Sequence, residues 1–195
     1  MSERAYPRAT ADATDATRAF SPVIAGALIA AIVAADQFTK HLAVSSLVPH
    51  VPRDVVGTAV RFTLTFNPGA AFGMHLGRAS WWAFPALTVL ILGFLFRLYR
   101  SLPLNEHALR VAIAAVMGGA LGNLIDRFRS PAGVVDFIDV GVGDVRFWTF
   151  NVADSAVSVG AVLLVLLLWR YESRMQQGPR GATDTPPEPA EVARP

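Results

Sequence analysis

Four long apolar runs, separated by shorter polar stretches, dominate the pattern of residues along the chain. They lie near residues 22–44, 81–100, 108–127 and 152–170. A helix needs about 20 mostly apolar residues to cross the hydrocarbon core of a bilayer, and each run is close to that length. The pattern therefore predicts a mainly α membrane protein with four transmembrane helices.

The first run also fits a second interpretation, the apolar core of a cleavable signal peptide. Alanines come directly before Asp36, as small residues do before a cleavage site. Against this, the apolar pattern resumes at residues 41–44, and three similar runs follow. We therefore predict a first helix that is retained.

The connection at residues 45–80 has a pattern typical of a strand. Residues 60–66 alternate, with three apolar side chains on one face, and the strong turn signal Asn67-Pro-Gly follows. The sequence thus predicts a small β region between helices 1 and 2. Two roles stay open for it: it holds an extended peptide through backbone hydrogen bonds, or it only caps the helices.

The composition agrees with a membrane protein. Of the 195 residues, 53% are hydrophobic and only 16% are charged, which is unusual for a soluble domain. The chain has no cysteine, so disulfides and cysteine-based metal sites are excluded. Its four histidines are scattered without ligand spacing, and we predict neither a metal nor another cofactor. The net charge of +2 comes from loop arginines rather than a basic stripe, so no nucleic-acid partner is expected.

Arginines are distributed unevenly around the predicted helices. They precede the first helix, flank the second connection and follow the last helix, at Arg4, Arg8, Arg18, Arg97, Arg100, Arg110, Arg170, Arg174 and Arg180. Cytoplasmic flanks are enriched in such residues, which predicts that both termini face the cytoplasm. The contrast is reduced by arginines in or beside the outer connections, at Arg53, Arg61, Arg78, Arg127, Arg129 and Arg146. Residues 1–20 and 173–195 are polar and rich in small residues or proline, and we expect disordered tails around one domain at residues 21–172.

Charged residues inside or beside apolar runs are costly and usually functional. In the first helix, Asp36 and Lys40, the only lysine of the chain, share a face at i, i+4. A neutralised structural pair is the simpler interpretation. At the end of the third helix, Asn123, Asp126 and Arg127 form one polar face, and we predict a fixed ion pair between Asp126 and Arg127.

Two aspartates at the edges of apolar runs are the candidates for chemistry. Asp136 has apolar neighbours on both sides, which tends to raise the pKa of a carboxyl group. Asp154 lies three residues after Asn151, as in a capping box, so it could serve only to begin a helix. One protonated and one ionised carboxyl group are what an aspartyl hydrolase needs. Asp139 and Asp144 are rivals of Asp136 that spacing alone does not exclude.

Five motifs follow one another in order on the predicted elements. They are DQFTK at 36–40, NPGAAFG at 67–73, GNLIDR at 122–127, VVDF at 134–137 and FNVADS at 150–155. Over about residues 22–170 they resemble the ordered signature of signal peptidase II, the bacterial lipoprotein signal peptidase family. The segment at 128–133 is slightly longer than the family pattern.

The resemblance implies an aspartyl endopeptidase of the bacterial cytoplasmic membrane. Such an enzyme removes the signal peptide of a prolipoprotein just before the diacylglyceryl-modified cysteine, without a metal. By resemblance, Asp136 and Asp154 are the catalytic pair, near the periplasmic face. Seven further residues fall on supporting positions: Asp36, Lys40, Asn67, Asn123, Asp126, Arg127 and Asn151. The expected partners are a lipid-modified prolipoprotein and membrane lipids, and we expect a monomer.

Two other classes of membrane protein also use acids of this kind. A small transporter or proton-conducting protein would more naturally carry its carboxylates near mid-span, whereas Asp126, Asp136 and Asp154 gather at one end of the predicted helices. A membrane scaffold, whose polar cluster only holds helices together, would tolerate Asp136→Asn.

Overall fold

The computed structural model describes residues 22–69 and 80–176. These residues form four long helices. They are α1 (Pro22–Ser46), α2 (Ser80–Ser101), α3 (His107–Arg129) and α4 (Val152–Gln176). Each contains a segment long and apolar enough to cross a membrane, which confirms the predicted transmembrane helices. Helix α4 continues beyond the predicted end at residue 170. Residues 173–176 of the predicted C-terminal tail at 173–195 belong to α4. The rest of that tail, the N-terminal tail at 1–20 and the motif residues 70–73 lie outside the described residues.

Helix α3 lies at the centre of the bundle. Of its apolar window, 56% of the residues are buried, against 11% in each of the other three helices. Gly118 of α3 faces Ile32 of α1, and Gly119 faces the backbone of Ala153 in α4. Because small residues let helices approach closely in lipid, α3 brings α1 and α4 together.

Gly119→Ala is expected to lower the free energy of unfolding by about 1–3 kcal/mol. The added Cβ would collide with the carbonyl oxygen of Ala153, and backbone cannot move aside locally. Gly93→Ala in α2 is the matched control, since nothing lies within 4 Å of its added Cβ, and it should gain about 1 kcal/mol of helix propensity. Thermal unfolding in detergent should therefore move in opposite directions for the two variants. Equal midpoints would argue against the close α3–α4 contact.

Four strands form one antiparallel sheet at the end of the bundle where α1 and α3 end and α4 begins. The strands are β1 (Arg53–Val56), β2 (Val60–Asn67), β3 (Val134–Val142) and β4 (Val145–Arg146), in the order β1-β2-β3-β4. Strand β2 confirms the strand predicted from alternation. Leu64 is buried as expected, whereas Phe62 and Phe66 are each 37% exposed.

The sheet also takes two strands from the connection between α3 and α4, which the sequence pattern did not predict. Strand β3 has a partner on both edges. On one edge, Asp136 lies opposite Thr65 of β2. On the other edge of β3, Ile138 O accepts a hydrogen bond from the N–H of Phe150 at 3.0 Å. Two aspartates break the apolar alternation of this segment, which hides its strand pattern. Asp136 is consequently held in the interior of the sheet.

The turn before β3 depends on glycine. Gly133 has φ of +93°, in the left-handed region that favours glycine. A Cβ there would also collide with the backbone of Asn67 and Pro68. The start of β3 therefore lies directly against the end of β2, which fixes the position of Asp136 relative to Asn67.

Two buried apolar clusters hold the helices to one another and the sheet to the helices. One lies between the helices around Leu109 and Ile113 of α3. The other packs Ala43 of α1 against Leu64 of β2 and Phe137 of β3. The second cluster joins the sheet to the bundle on the side of α1.

Candidate active site

The polar cluster begins at Asp36, which is fully buried near the sheet end of α1. One carboxylate oxygen accepts a hydrogen bond from the backbone N–H of Ala153 in the first turn of α4, at 2.9 Å. The other oxygen pairs with Lys40 Nζ at 2.8 Å, which confirms the predicted i, i+4 pair. Because an unpaired N–H at a helix start needs an acceptor, Asp36 ties α4 to α1.

Lys40 contacts three other residues of the cluster. Its ammonium lies 2.8 Å from Asp36 Oδ2, 2.7 Å from Asp126 Oδ2 and 2.9 Å from Asn123 Oδ1. These contacts engage all three donors of the group. Lys40 is therefore occupied in holding α1 against α3, as the structural interpretation of the sequence proposed.

The predicted ion pair between Asp126 and Arg127 is wrong. Asp126 pairs with Lys40, and its Oδ2 also accepts the backbone N–H of Val135 at 3.2 Å. Arg127 Nη1 instead donates to Asn123 O at 3.1 Å, and its guanidinium lies 6.0 Å from the ring centre of Phe84. Successive residues on a helix do not face each other, so the partner of Asp126 comes from another helix.

Asp154 and Asn151 form the capping box predicted from their spacing. The N–H of Asp154 donates to Asn151 Oδ1 at 2.8 Å, and the N–H of Asn151 donates to Asp154 Oδ2 at 3.2 Å. Asp154 Oδ1 accepts a further hydrogen bond from Asn123 Nδ2 at 2.7 Å. The carboxylate is thus oriented from α3 as well as from its own helix, which a cap alone does not require.

Asn151 contacts both candidate acids. Its side-chain Nδ2 donates to Asp136 Oδ1 at 2.7 Å, while its backbone N–H reaches Asp154 as described. Asn151 is itself fully buried. Two carboxyl groups held by one residue must lie close to each other, and this brings together the pair expected from the sequence.

Asp136 is the member of the pair that lies in the sheet, where its residue is 4% exposed. Burial, followed by the nearby charge of Asp154, raises the pKa of Asp136 to about 7, and hydrogen bonds from Asn151 and Asn67 and the charge of Lys40 act in the opposite direction. The carboxyl group is therefore poised to hold or release a proton near neutral pH.

Asn67 reaches the site from the end of β2. Its Oδ1 accepts the N–H of Gly69 at 3.0 Å, the local turn contact expected for this residue. The side chain also hydrogen-bonds to Asp136. Asn67 thus combines the turn role with a contact to the candidate acid.

The structure separates the rival acids from this pair. Asp139 Oδ1 is bound by Arg146 Nε at 2.8 Å, and its Oδ2 accepts the hydroxyl of Thr63 at 3.0 Å. Asp144 is exposed in the turn between β3 and β4. Asp139 therefore links neighbouring strands of the sheet, and among the described residues neither rival contacts a residue that also contacts Asp154.

Gln37 belongs to the cluster, although the sequence reasoning did not select it. Its Nε2 donates to Asp126 Oδ1 at 2.8 Å, and its Oε1 accepts from Arg129 Nη1 at 2.9 Å. An amide within an apolar span was the available signal, since such groups usually bond across helices. Within residues 22–69 and 80–176, no three His, Asp or Glu side chains are grouped as a metal site.

The comparisons with known proteins agree with these motifs. The sequence profile described as Signal peptidase (SPase) II matches residues 28–170. The chain is similar to the lipoprotein signal peptidase of Moorella thermoacetica, with 38% identity over 134 residues, 68% of this chain and 84% of the relative. It is also similar to that of Rhodococcus jostii, with 41% identity over 151 residues, 74% of this chain and 70% of the relative.

The fold of the chain is also similar to that of a solved structure. It is described as a bacterial membrane enzyme at 2.3 Å resolution, and it is 29% identical to the chain with a TM-score of 0.72. The match covers 80% of this chain and 93% of the solved chain. The arrangement of four helices and a terminal sheet is thus shared with a known membrane enzyme.

Proposed function

The chain belongs to the signal peptidase II family, and we propose that Asp136 and Asp154 are the catalytic pair of this peptidase. As a multi-pass lipoprotein signal peptidase, it is a hydrolase that removes signal peptides from prolipoproteins. The main support for this pair is a pair of hydrogen bonds from Asn151, which donates one to each of the two carboxyl groups. Adjacent acids of this kind share protons, and one can act as acid while the other acts as base.

In the proposed reaction, Asp154 is the initial base. It accepts hydrogen bonds from Asn123 and from the N–H of Asn151, an arrangement that suits a carboxylate. It takes a proton from a water molecule, and the water oxygen forms a bond to the carbonyl carbon of the scissile peptide. The C–N bond then breaks as Asp136 gives its proton to the leaving nitrogen. The pair afterwards exchanges protons and titrates as one unit.

The supporting residues have different roles in the proposed site. Asp36, Lys40 and Asp126 hold α1, α3 and α4 in place through buried ion pairs and hydrogen bonds. Arg127 differs, because its buried Nε has no hydrogen-bond partner among the described residues. We assign this donor to a backbone carbonyl of the substrate, which would relieve the cost of an unpaired buried donor.

The orientation in the membrane is part of the proposal. The residues around the catalytic pair lie near the ends of α1 and α3 and at the start of α4, so they share the sheet end of the bundle. With four spans, both termini lie on the opposite side, where Arg97, Arg100 and Arg110 accumulate. The active site then faces the periplasm and the termini face the cytoplasm of a bacterial cell. A monomeric domain at residues 21–172 with terminal tails completes this arrangement.

The test is cleavage of a diacylglyceryl-modified prolipoprotein by purified protein in detergent, followed over a pH series. Mass spectrometry should place the cut directly before the modified cysteine, with the same rate when a chelator is present. Because Asp136 must be protonated to donate, and its pKa is about 7, kcat/KM should fall as the pH rises through about 7. A rate abolished by the chelator, or rising through this range, would contradict the proposed roles.

Asn67→Ala provides the control for the pH profile. The hydrogen bond from Asn67 lowers the pKa of Asp136, so its removal should move the alkaline limb to higher pH. A general loss of packing would lower the whole profile without moving the limb. An unmoved limb would assign the alkaline pKa to another group.

A further inference from the structure

A second concave site lies between α1 and the sheet. The cavity has a volume of about 610 Å³, within the range of small-molecule sites. Leu42 and Ala43 of α1, with Leu47 directly after the helix, form one wall, and Phe62 and Phe137 of the sheet form the other. We call this space the α1–sheet cleft.

The cleft is separate from the catalytic pair. Successive side chains of a strand point to opposite faces, so Phe137 lines the cleft while Asp136 faces Asn151 on the other side of β3. A substrate chain that reaches the two aspartates therefore does not need to enter the cleft. The cleft is therefore available to a second ligand.

The walls of the cleft are apolar in effect. Thr39 and Ser46 also line it, but both hydroxyls donate to backbone carbonyls of their own helix. Thr39 Oγ1 lies 2.8 Å from Ala35 O, and Ser46 Oγ lies 2.5 Å from Leu42 O. With these donors satisfied, the interior favours hydrocarbon over a polar ligand.

One positive charge remains at the rim. Arg53 of β1 lines the cleft and is exposed, and no carboxylate of the described residues forms an ion pair with it. Asp54 also lines the cleft, but its charge is offset by Arg61, whose Nε lies 2.9 Å from Asp54 Oδ1. The rim therefore attracts an anion, and a guanidinium matches the oxygens of a phosphate.

The depth of the cleft identifies the class of ligand. Its lining along this part of the chain runs from Thr39, inside the candidate membrane span of α1, to Leu47, directly after the end of the helix at Ser46. An apolar interior at membrane depth below a cation at the surface matches one kind of molecule, a lipid with an anionic head. We propose that the α1–sheet cleft binds one anionic glycerophospholipid, with its phosphate on Arg53 and an acyl chain between α1 and the sheet.

A bound lipid would support the sheet that carries Asp136. Ala43 and Phe137 line the cleft and also belong to the cluster that joins α1 to the sheet. An acyl chain would extend this cluster into the cleft, and binding to the folded protein stabilises it. The proposal concerns a lipid that stays in place during turnover and is independent of the assignment of the catalytic pair.

The test compares phospholipids on the purified full chain in detergent. Dioleoylphosphatidylglycerol and dioleoylphosphatidylcholine are added separately, and bound lipid is measured by native mass spectrometry together with the thermal midpoint. Wild type should retain the anionic lipid more strongly and gain the larger midpoint shift. Arg53→Gln should lower the preference for the anionic lipid about fivefold.

Filling the cleft gives a second, independent variant. Leu42→Trp should reduce retention of both lipids, and Leu42 is 46% exposed, so the larger ring can be accommodated without disturbing the core. Leu90→Trp is the matched control, because Leu90 is 71% exposed on α2 and does not line the cleft. It should retain lipid like wild type.

Three binding results would overturn the proposal. They are an unchanged lipid preference in Arg53→Gln, equal retention by the two tryptophan variants, and equal binding of both lipids by wild type. A raised KM for prolipoprotein in Leu42→Trp, with phospholipid retention unchanged, would also overturn it and assign the cleft to the substrate. All binding measurements are made without turnover, so their outcome does not depend on which residues are catalytic.

Discussion

Asp136→Asn and Asp154→Asn are each expected to lower the rate of prolipoprotein cleavage by about a thousandfold to ten-thousandfold. An amide has nearly the shape of the carboxyl group but neither takes nor gives the proton that the reaction moves. The two acids act as one unit through Asn151, so the double variant should lose little more activity than either single variant. Single-turnover cleavage followed by mass spectrometry measures the effect.

Asp139→Asn is the matched control for these variants. Asp139 lies on the same strand as Asp136, but Arg146 and Thr63 bind its carboxylate, so near wild-type cleavage is expected. Thermal midpoints of all the variants separate lost chemistry from lost folding. Full activity in a folded Asp136→Asn or Asp154→Asn protein would refute the assignment of these two residues as the catalytic pair. An inactive but folded Asp139→Asn protein would make Asp139 a candidate catalytic residue again.

The helices and the capping box could be predicted because their signals are local. Run length alone located the four spans, and the separation of Asn151 and Asp154 by three residues was enough to predict their reciprocal hydrogen bonds. The pair of Asp36 and Lys40 follows from one helical turn in the same way. In each case the interacting groups lie within four residues of each other.

The contacts that build the site are not local, and the sequence predicted them less well. Asp126 was assigned to its neighbour Arg127, yet the structure pairs it with Lys40 of another helix. Strand β3 was missed because two aspartates break its apolar alternation, and because its hydrogen-bond partners, β2 and Phe150, come from other segments of the chain. The choice between Asp136 and Asp139 rested on the family resemblance, since only the fold shows which of them meets Asn151.

Lys40→Met is expected to lower the free energy of unfolding by about 3–5 kcal/mol. The substitution leaves Asp36 and Asp126 without their cation, and these residues are only 0% and 7% exposed. Like charges would then remain in a site with little water to screen them. Arg174→Met is the matched control, because Arg174 pairs with Glu106 at 3.3 Å with its side chain 65% exposed, and a loss below about 1 kcal/mol is expected.

A second substitution tests whether charge is the cause. Adding Asp126→Asn to Lys40→Met removes one of the two unpaired carboxylates, so the double variant should be more stable than Lys40→Met alone. Thermal unfolding in detergent measures both. If the two losses simply add, Lys40 acts through packing, and the charge explanation fails.

The Lys40→Met variant can also be tested at the catalytic pair, because Lys40 lowers the pKa of Asp136. Wherever enough folded Lys40→Met protein remains to measure cleavage, its alkaline limb should lie at higher pH than that of wild type.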